Sequence, residues 1–165
     1  MSFIIKPKQY ELPPPGLKQG VLCDVQSVGK HWSGRDESRK LRDVCVLSWQ
    51  LSERNSSGIR FVIDEMYTAT LANGSNLKEV VESWIGRSFT PEEQSNGFDI
   101  ESLIGKNCYI NLIHKPNAEG KIYPKVSSIT PIPDSIDPIE IENYTPNAWI
   151  ADYRSKAVSD EDLPF

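Results

Sequence analysis

The sequence predicts a mainly β domain, because five segments alternate apolar and polar residues and a single segment has apolar residues at helical spacing. The predicted strands cover residues 17–28, 41–53, 59–71, 107–113 and 121–129, and the predicted helix covers residues 76–85. The order is three strands, one helix and two strands. A chain of 165 residues with 38% apolar and 25% charged residues has room for one such domain with appendages.

The first three strands are predicted from alternation and from a short turn. One face of the first strand carries Val21, Cys23 and Val25, and one face of the second carries Cys45, Leu47, Trp49 and Leu51. Residues 55–58, Asn-Ser-Ser-Gly, form a polar turn. Because the link is so short, the second and third strands are expected to form an antiparallel hairpin.

The helix and the last two strands follow after residues 72–75. Asn76 is the expected N-cap, Glu79 follows three residues later, and Gly86 ends the helix. Residues 87–98 are interpreted as a polar linker and residues 99–104 as a short helical turn. The apolar positions of the last strands are Cys108, Ile110 and Leu112, then Ile122, Val126 and Ile129, while Tyr109, Tyr123 and Lys125 are expected to face outward.

The net charge of −5 is distributed unevenly along the chain. Residues 1–133 hold 16 Lys and Arg against 15 Asp and Glu, whereas residues 134–165 hold 2 against 8. The acidity therefore belongs to the last part, and a nearly neutral body can still carry a basic groove. We divide the chain into an extended Pro-rich arm (1–16), a body (17–133) and a flexible acidic linker and tail (134–165), in which residues 148–150, Ala-Trp-Ile, are best suited to dock on the body.

The cellular setting is inferred from cysteine usage and hydropathy. Cys23, Cys45 and Cys108 are odd in number and lack the close spacing of a zinc site, so reduced thiols are expected. No apolar run approaches the length of a membrane span, and the first residues do not have the pattern of a signal peptide. A cytoplasmic protein without membrane association is expected.

The predicted order of elements resembles the oligonucleotide-binding (OB) fold, a five-stranded Greek-key barrel with one helix between its third and fourth strands. This resemblance implies that a ligand lies across strands two and three, between the loops that join strands one to two and four to five. The Pro-rich arm and the long segment before the fourth strand depart from the minimal pattern. They leave an insertion or a subunit contact, and hence a homo-oligomer, open.

Basic and aromatic residues are concentrated where the OB resemblance places a ligand. The first loop, residues 29–42, and the second, residues 114–125, together hold eight of the 16 basic residues found in residues 1–133. Basic residues neutralise phosphates, and aromatic rings stack on unpaired bases. The candidate residues for binding single-stranded DNA are Lys30, Trp32, Arg35, Arg39, Lys40, Arg42, Trp49, Tyr109, Lys115, Lys121, Tyr123 and Lys125.

The tryptophans differ in their expected roles. Trp32 lies in a polar loop, so stacking on bases and partial burial as a lid on the barrel are both open. Trp49 shares a face with leucines, which makes core and binding roles equally open, and Trp84 is expected in the core. An outward Tyr109 or Tyr123 is either a stacking residue or only a strand former.

The last residues form an acidic run with an apolar end: Asp160, Glu161, Asp162, Leu163, Pro164 and Phe165. This tip resembles the C-terminal tip of bacterial and bacteriophage single-stranded-DNA-binding proteins, with Leu163 where Ile is usual. In that family the tip recruits replication, recombination and repair proteins. The resemblance also implies that the protein acts in the cytoplasm of a bacterial cell or a phage-infected host. The resemblance implies that Phe165 enters a partner's pocket while the acids steer its approach.

The sequence thus predicts a protein that binds single-stranded DNA without sequence preference and recruits partners through its tip. An enzyme is not expected, because no metal-ligand cluster, phosphate-binding glycine loop or nucleophile motif is apparent, and no cofactor or metal is expected. The alternative is an OB-fold adaptor that binds proteins, or a recombination accessory protein, without a primary role in binding DNA.

Overall fold

The computed structural model describes residue 3, residues 11–34 and residues 36–159. These residues form a mainly β structure with five antiparallel strands in one sheet. The strands are β1 (Gly16–Ser33), β2 (Lys40–Arg54), β3 (Arg60–Thr68), β4 (Asn107–Pro116) and β5 (Ile122–Thr130), and the helices are α1 (Asn76–Ile85), α2 (Pro91–Asn96) and α3 (Ala148–Ser155). Two short 3₁₀ helices lie at Asp36–Ser38 and Ile100–Leu103.

The strand order is β3-β2-β1-β4-β5, so the 18-residue β1 lies at the centre. Its first residues pair with β4, and the strand pairs with β2 from Gly20 to Ser33. Gly20 lies where both partners are present. A Cβ there would lie 2.7 Å from Ile110 Cδ1 and 3.3 Å from the Gln50 carbonyl oxygen, so a larger residue would push the strands apart.

The two edge strands, β3 and β5, approach each other through one buried acid. The Glu65 carboxylate accepts a hydrogen bond from Lys125 Nζ and another, of 3.3 Å, from the Val126 backbone N–H. Within the described residues no backbone ladder joins these strands, so side chains make the contact across an open seam of the sheet.

The main core lies between the sheet and α1. Leu77, Val81 and Trp84 of α1 are buried, as their helical spacing predicts, and the Trp84 ring lies 6.1 Å from that of Trp49. The N-cap is Ser75, one residue before the predicted Asn76, because its side chain accepts the Lys78 backbone N–H. Gly86 ends the helix in the left-handed conformation (φ 77°), which confirms the predicted end.

The prediction of a single helix was wrong. Residues 87–98, interpreted as a linker, contain α2, which Thr90 and Glu93 cap reciprocally. Its flanking Phe89 and Phe98 are apolar and pack together at 5.2 Å between ring centroids. Because α2 itself buries no residue, its six positions lack the apolar spacing that would have revealed it.

The predicted loop 29–42 is mostly strand. β1 continues to Ser33 and β2 begins at Lys40, with Lys30 paired to Asp43 and Trp32 to Leu41. This part of the hairpin carries mainly polar side chains, so it lacks the apolar alternation that indicates a strand. The second predicted loop, residues 114–125, is shortened in the same way by β4 and β5.

Residues 134–159 contact the body, although we expected a flexible linker there. The predicted docking of residues 148–150 is confirmed, because Ile150 is buried with Val28 and Val46. Tyr153 of the same helix, α3, stacks on His31 with ring centroids 3.9 Å apart. The acidic tip, residues 160–165, lies outside the described residues.

The described end of the N-terminal arm also touches the body. The Glu11 carboxylate accepts hydrogen bonds from the backbone N–H and hydroxyl of Ser56, and His114 Nε2 lies 2.8 Å from the Pro13 carbonyl oxygen. In the described part of the chain, no helix is long and apolar enough to cross a bilayer.

Candidate nucleic-acid interface

The two turns predicted to hold the ligand lie at opposite ends of β1. The β1–β2 turn follows Ser33, the last residue of β1, whereas β4 pairs with the first residues of β1 and continues past Gly16 into the β4–β5 turn. The β2–β3 turn is at the same end as the β4–β5 turn, because Leu51 pairs with Gly20 shortly before it. A ligand that reached both predicted loops would therefore cross the sheet lengthwise.

The β1–β2 turn presents an exposed aromatic ring with a cation on it. Trp32 is 41% exposed, and the Arg39 guanidinium carbon lies 4.2 Å from the centroid of its ring. Lys40 and Arg42 are exposed beside this pair, and Arg35 lies outside the described residues. The turn thus combines an exposed indole ring with basic side chains.

Lys30 lies near the same turn, but the charge of its side chain is neutralised by a carboxylate. Its Nζ is 2.9 Å from a carboxylate oxygen of Asp43, its cross-strand partner. Both side chains are substantially exposed, and exposed ion pairs contribute about 0–1 kcal/mol. A phosphate can therefore replace Asp43 as the partner of Lys30 at little cost.

The β4–β5 turn presents a second, smaller group of exposed aromatic and basic side chains. Tyr123 is 39% exposed and pairs across the hairpin with Lys115, which is also exposed. Lys121 is exposed at the start of β5. Lys125 instead forms an ion pair with Glu65 at the seam between β3 and β5. Its charge therefore stabilises the contact between these strands and is not free to bind a phosphate.

Two of the candidate aromatic residues lie elsewhere. Trp49 is wholly buried in the core against Trp84, which removes it from the candidate stacking residues. Its inward position follows from its shared face with Leu47 and Leu51. Tyr109 is half-buried on β4, opposite Gln19 and Thr130, and is distant in the hairpin from Tyr123.

A groove of about 1280 Å³ lies beside the β2–β3 turn. Its lining includes Arg54, Arg60, Phe61, Lys121 and Trp149. Only Lys121 among these was a candidate from the sequence. The signal for the two arginines was available, since they bracket the predicted 55–58 turn at the ends of the two strands that an OB ligand crosses.

A segment that we call the strap, residues 139–150, crosses the outer face of β2 and β3. Gln50 of β2 donates to the Glu142 carbonyl (2.6 Å) and accepts from the Glu142 backbone N–H (2.8 Å). Farther along, Trp149 Nε1 donates to the Asp64 carboxylate of β3 at 2.8 Å. Residues 45–51 are consequently all buried, including Ser48 and Gln50 on the strap side.

The three thiols are buried and free of disulfide bonds. Burial raises the pKa of Cys23 and of Cys108 to about 12 and that of Cys45 to about 11. Thiols in such surroundings stay protonated at neutral pH, so these side chains behave as small core residues.

The interface therefore consists of basic and aromatic side chains at the turns and along the β2–β3 face. Within the described ranges, no three His, Cys, Asp or Glu side chains are arranged to hold a metal ion. No protein-family model matches the chain, and no curated protein is significantly similar to it.

Proposed function

We propose that this protein binds single-stranded DNA without sequence preference, in replication, recombination or repair, and recruits partner proteins through residues 160–165. The observation that carries the proposal is the exposed Trp32 ring, with Arg39 over its face and further basic side chains at the same turn. Single-stranded nucleic acids bind to this combination, because bases stack on exposed aromatic rings and basic side chains pair with phosphates.

The sheet supports a ligand surface of the OB type. An OB barrel has its helix between the third and fourth strands, and in this chain α1 and α2 lie between β3 and β4. The edges of the sheet are β3 and β5, and Glu65 of β3 contacts Lys125 and Val126 of β5 across the open seam between them. This contact supports a curved, barrel-like sheet of the OB type. The β2–β3 face would then be the ligand face.

The chemistry of the interface favours single strands over duplex DNA. Unpaired bases expose both faces, and stacking of one base on an aromatic side chain is worth about 1–3 kcal/mol. Reading a duplex would need an element that enters the major groove. Among the α-helices of the described chain, α1 and α3 bury apolar residues and α2 has only six residues, so none is suited to that role.

The partner-recruiting role rests on the sequence of the tip. Three acids followed by Leu163, Pro164 and Phe165 lack the apolar area to fold alone, so they suit a role as a ligand for another protein. Just before the tip, the Val158 backbone N–H donates to the Lys30 carbonyl of β1 at 2.8 Å.

Titration of fluorescently labelled oligo-dT, at several salt concentrations, tests the proposal. We expect binding that weakens with salt, with a log-log slope of about −0.7 per phosphate neutralised. A duplex of the same length is the control and should bind much more weakly. Equal affinity for the two, or no binding to either, would contradict the proposal and favour the protein-binding adaptor.

A further inference from the structure

The middle of the strap is held by polar contacts between two firm anchors. At one end, Asn107 exchanges two hydrogen bonds of 2.9 Å with the backbone of Ile139. At the other end, Ile150 is buried with Val28 and Val46. Residues 140–146 between them are exposed except for the half-buried Tyr144, whose hydroxyl donates to the Asp24 carboxylate at 3.0 Å.

Within this middle part, Glu142 is bound by two arginines of the β2–β3 hairpin. Arg54 Nη1 lies 2.7 Å from Glu142 Oε2, and Arg54 Nη2 lies 3.3 Å from Oε1, which is a two-pronged contact. Arg60 Nε lies 3.7 Å from Glu142 Oε2 on the other side of the turn. The hydrogen bonds from Arg54 hold the pKa of Glu142 below its ordinary value, so the carboxylate is charged at neutral pH.

This arrangement suits a phosphate as well as a carboxylate. A guanidinium donates two parallel N–H groups to either anion, and arginine is favoured over lysine for this reason. Arg60 Nε is shielded from solvent and, among the described residues, has no hydrogen-bond acceptor. A phosphate, with more acceptor oxygens than a carboxylate, can accept from both arginines at once.

We propose that Arg54 and Arg60 form a binding site for a backbone phosphate of single-stranded DNA, and that Glu142 occupies it until the DNA displaces residues 140–146. This inference rests on the proposed function and adds to it a site and its regulation. The site lies on the β2–β3 face, in the groove that Lys121, Phe61 and Trp149 also line. These side chains supply a further cation and two aromatic rings for the adjoining nucleotide.

The exchange is feasible because the displaced contacts are polar and the apolar anchor stays in place. Water or DNA can replace the hydrogen bonds that Gln50 and Asp24 make with the strap. Asn143 has φ 46°, a left-handed conformation that relaxes when the segment lifts. Ile150 does not have to leave its site between β1 and β2. Glu142 thus competes with phosphate as a tethered ligand at high effective concentration.

The first test compares two charge-neutralising variants of the strap. Glu142→Gln removes the competing carboxylate and should tighten binding of labelled oligo-dT about fivefold or more at low salt, with a smaller gain at high salt. Glu140→Gln is the matched control, because it removes the same charge two residues away. Its carboxylate has no ion pair within the described ranges, and its backbone carbonyl, which accepts from Arg60 Nη1, is unchanged by the substitution. It should change the affinity much less. Equal effects of the two variants would overturn the competition.

The second test asks whether Arg54 contacts a phosphate of the DNA. Arg54→Gln in the Glu142→Gln background should weaken oligo-dT binding and make the salt slope shallower by about 0.7, which corresponds to one phosphate contact. In the otherwise unchanged protein its effect should be smaller, because Arg54→Gln also frees the strap. If Arg54→Gln leaves affinity and salt slope unchanged in the Glu142→Gln background, the arginines do not hold phosphate.

Hydrogen exchange shows whether the strap moves. On addition of oligo-dT, the Glu142 amide, bonded to Gln50, should lose protection, while the Ile150 amide keeps it. Greater protection of residues 140–146 on binding would show that they stay within the site and would overturn the displacement. If oligo-dT binds and Trp32→Ala weakens it while these strap results fail, the inference falls and the proposed function stands. Absence of binding by every variant would remove both.

Discussion

Trp32 and Arg39 face each other across the β1–β2 turn, with the guanidinium carbon 4.2 Å from the centroid of the indole ring. The pair covers one face of the ring with a cation, worth about 0.5–1 kcal/mol at an exposed site. A base can replace Arg39 or stack on the opposite face, while Arg39 turns to a phosphate. The pair is therefore ready for a ligand that brings an aromatic ring and a negative charge together.

The first prediction concerns Trp32→Ala. Removing the stacking surface should weaken oligo-dT binding by about 1–3 kcal/mol, the value of one stacked base, and leave the free energy of unfolding nearly unchanged because the ring is 41% exposed. Fluorescence anisotropy and urea denaturation measure the two quantities. A loss of stability with unchanged binding would show that Trp32 is a lid on the core.

Trp84→Ala is the matched control for Trp32→Ala, because it makes the same substitution at a tryptophan of the core. Trp84 is 4% exposed, packs against Trp49 and donates from Nε1 to the Asn107 carbonyl at 3.0 Å. Its loss should lower the free energy of unfolding by about 3–5 kcal/mol. The two tryptophans therefore separate binding from folding in one experiment.

The second prediction concerns the seam between β3 and β5. Glu65→Ala should lower the free energy of unfolding by about 1–3 kcal/mol, because it leaves the buried Val126 N–H and Lys125 without their acceptor. Glu65→Gln keeps an acceptor for Val126 and should cost less. Urea denaturation checks the order of the three proteins, and equal stability of all three would show that the seam does not depend on Glu65.

The strands of the body could be predicted from the sequence because burial on one face produces alternation. Cys108, Ile110 and Leu112 of β4 are buried as predicted. The alternation is absent where a strand is stabilised by polar cross-strand pairs and not by burial of one face. Beyond the core, β1 and β2 continue through cross-strand pairs such as Lys30 with Asp43, whose polar side chains resemble those of a loop.

The third prediction concerns the apolar anchor of the strap. Ile150→Ala should lower the free energy of unfolding by about 2–5 kcal/mol, because Ile150 is 1% exposed between Val28 and Val46 and its loss leaves a cavity. Ile141→Ala, on the exposed part of the strap, is the control and should be nearly neutral. Equal effects would show that α3 is not docked in solution. Denaturant titration of both variants provides the measurement.

The pairing of Glu142 with the two arginines could not be predicted, because it is a contact between remote parts of the chain. Glu142 lies 88 residues from Arg54, and nothing in its neighbourhood indicates a binding partner. Residues 134–147 are rich in proline and acids, a composition typical of linkers. What holds them is the pairing of backbone groups with Asn107 and Gln50, which composition does not reveal.

The fourth prediction is a pH dependence of the strap contact. Arg54 lowers the pKa of Glu142 in the folded state, so the contact stabilises the protein fully above the ordinary glutamate value of 4.5 and is lost as the pH falls through the lowered pKa. Urea denaturation should therefore show wild type more stable than Glu142→Gln at pH 7, with the difference shrinking as the pH falls below 4.5. A difference independent of pH would show that charge does not hold the strap.

The fifth prediction concerns the tip. Deleting residues 160–165 should abolish binding to a cognate replication or repair protein and preserve binding to single-stranded DNA. Affinity for DNA should rise at low salt, because the three acids are tethered to the same chain and compete with phosphate for its basic side chains. The tether is short, since the Val158 backbone N–H donates to the Lys30 carbonyl two residues before Asp160. Phe165→Ala keeps the acids, so it should lose the partner and leave DNA affinity unchanged.

Pull-down of the partner and anisotropy with oligo-dT measure the two effects. Retention of the partner by the truncated protein, with wild-type tightness, would show that the tip serves only solubility.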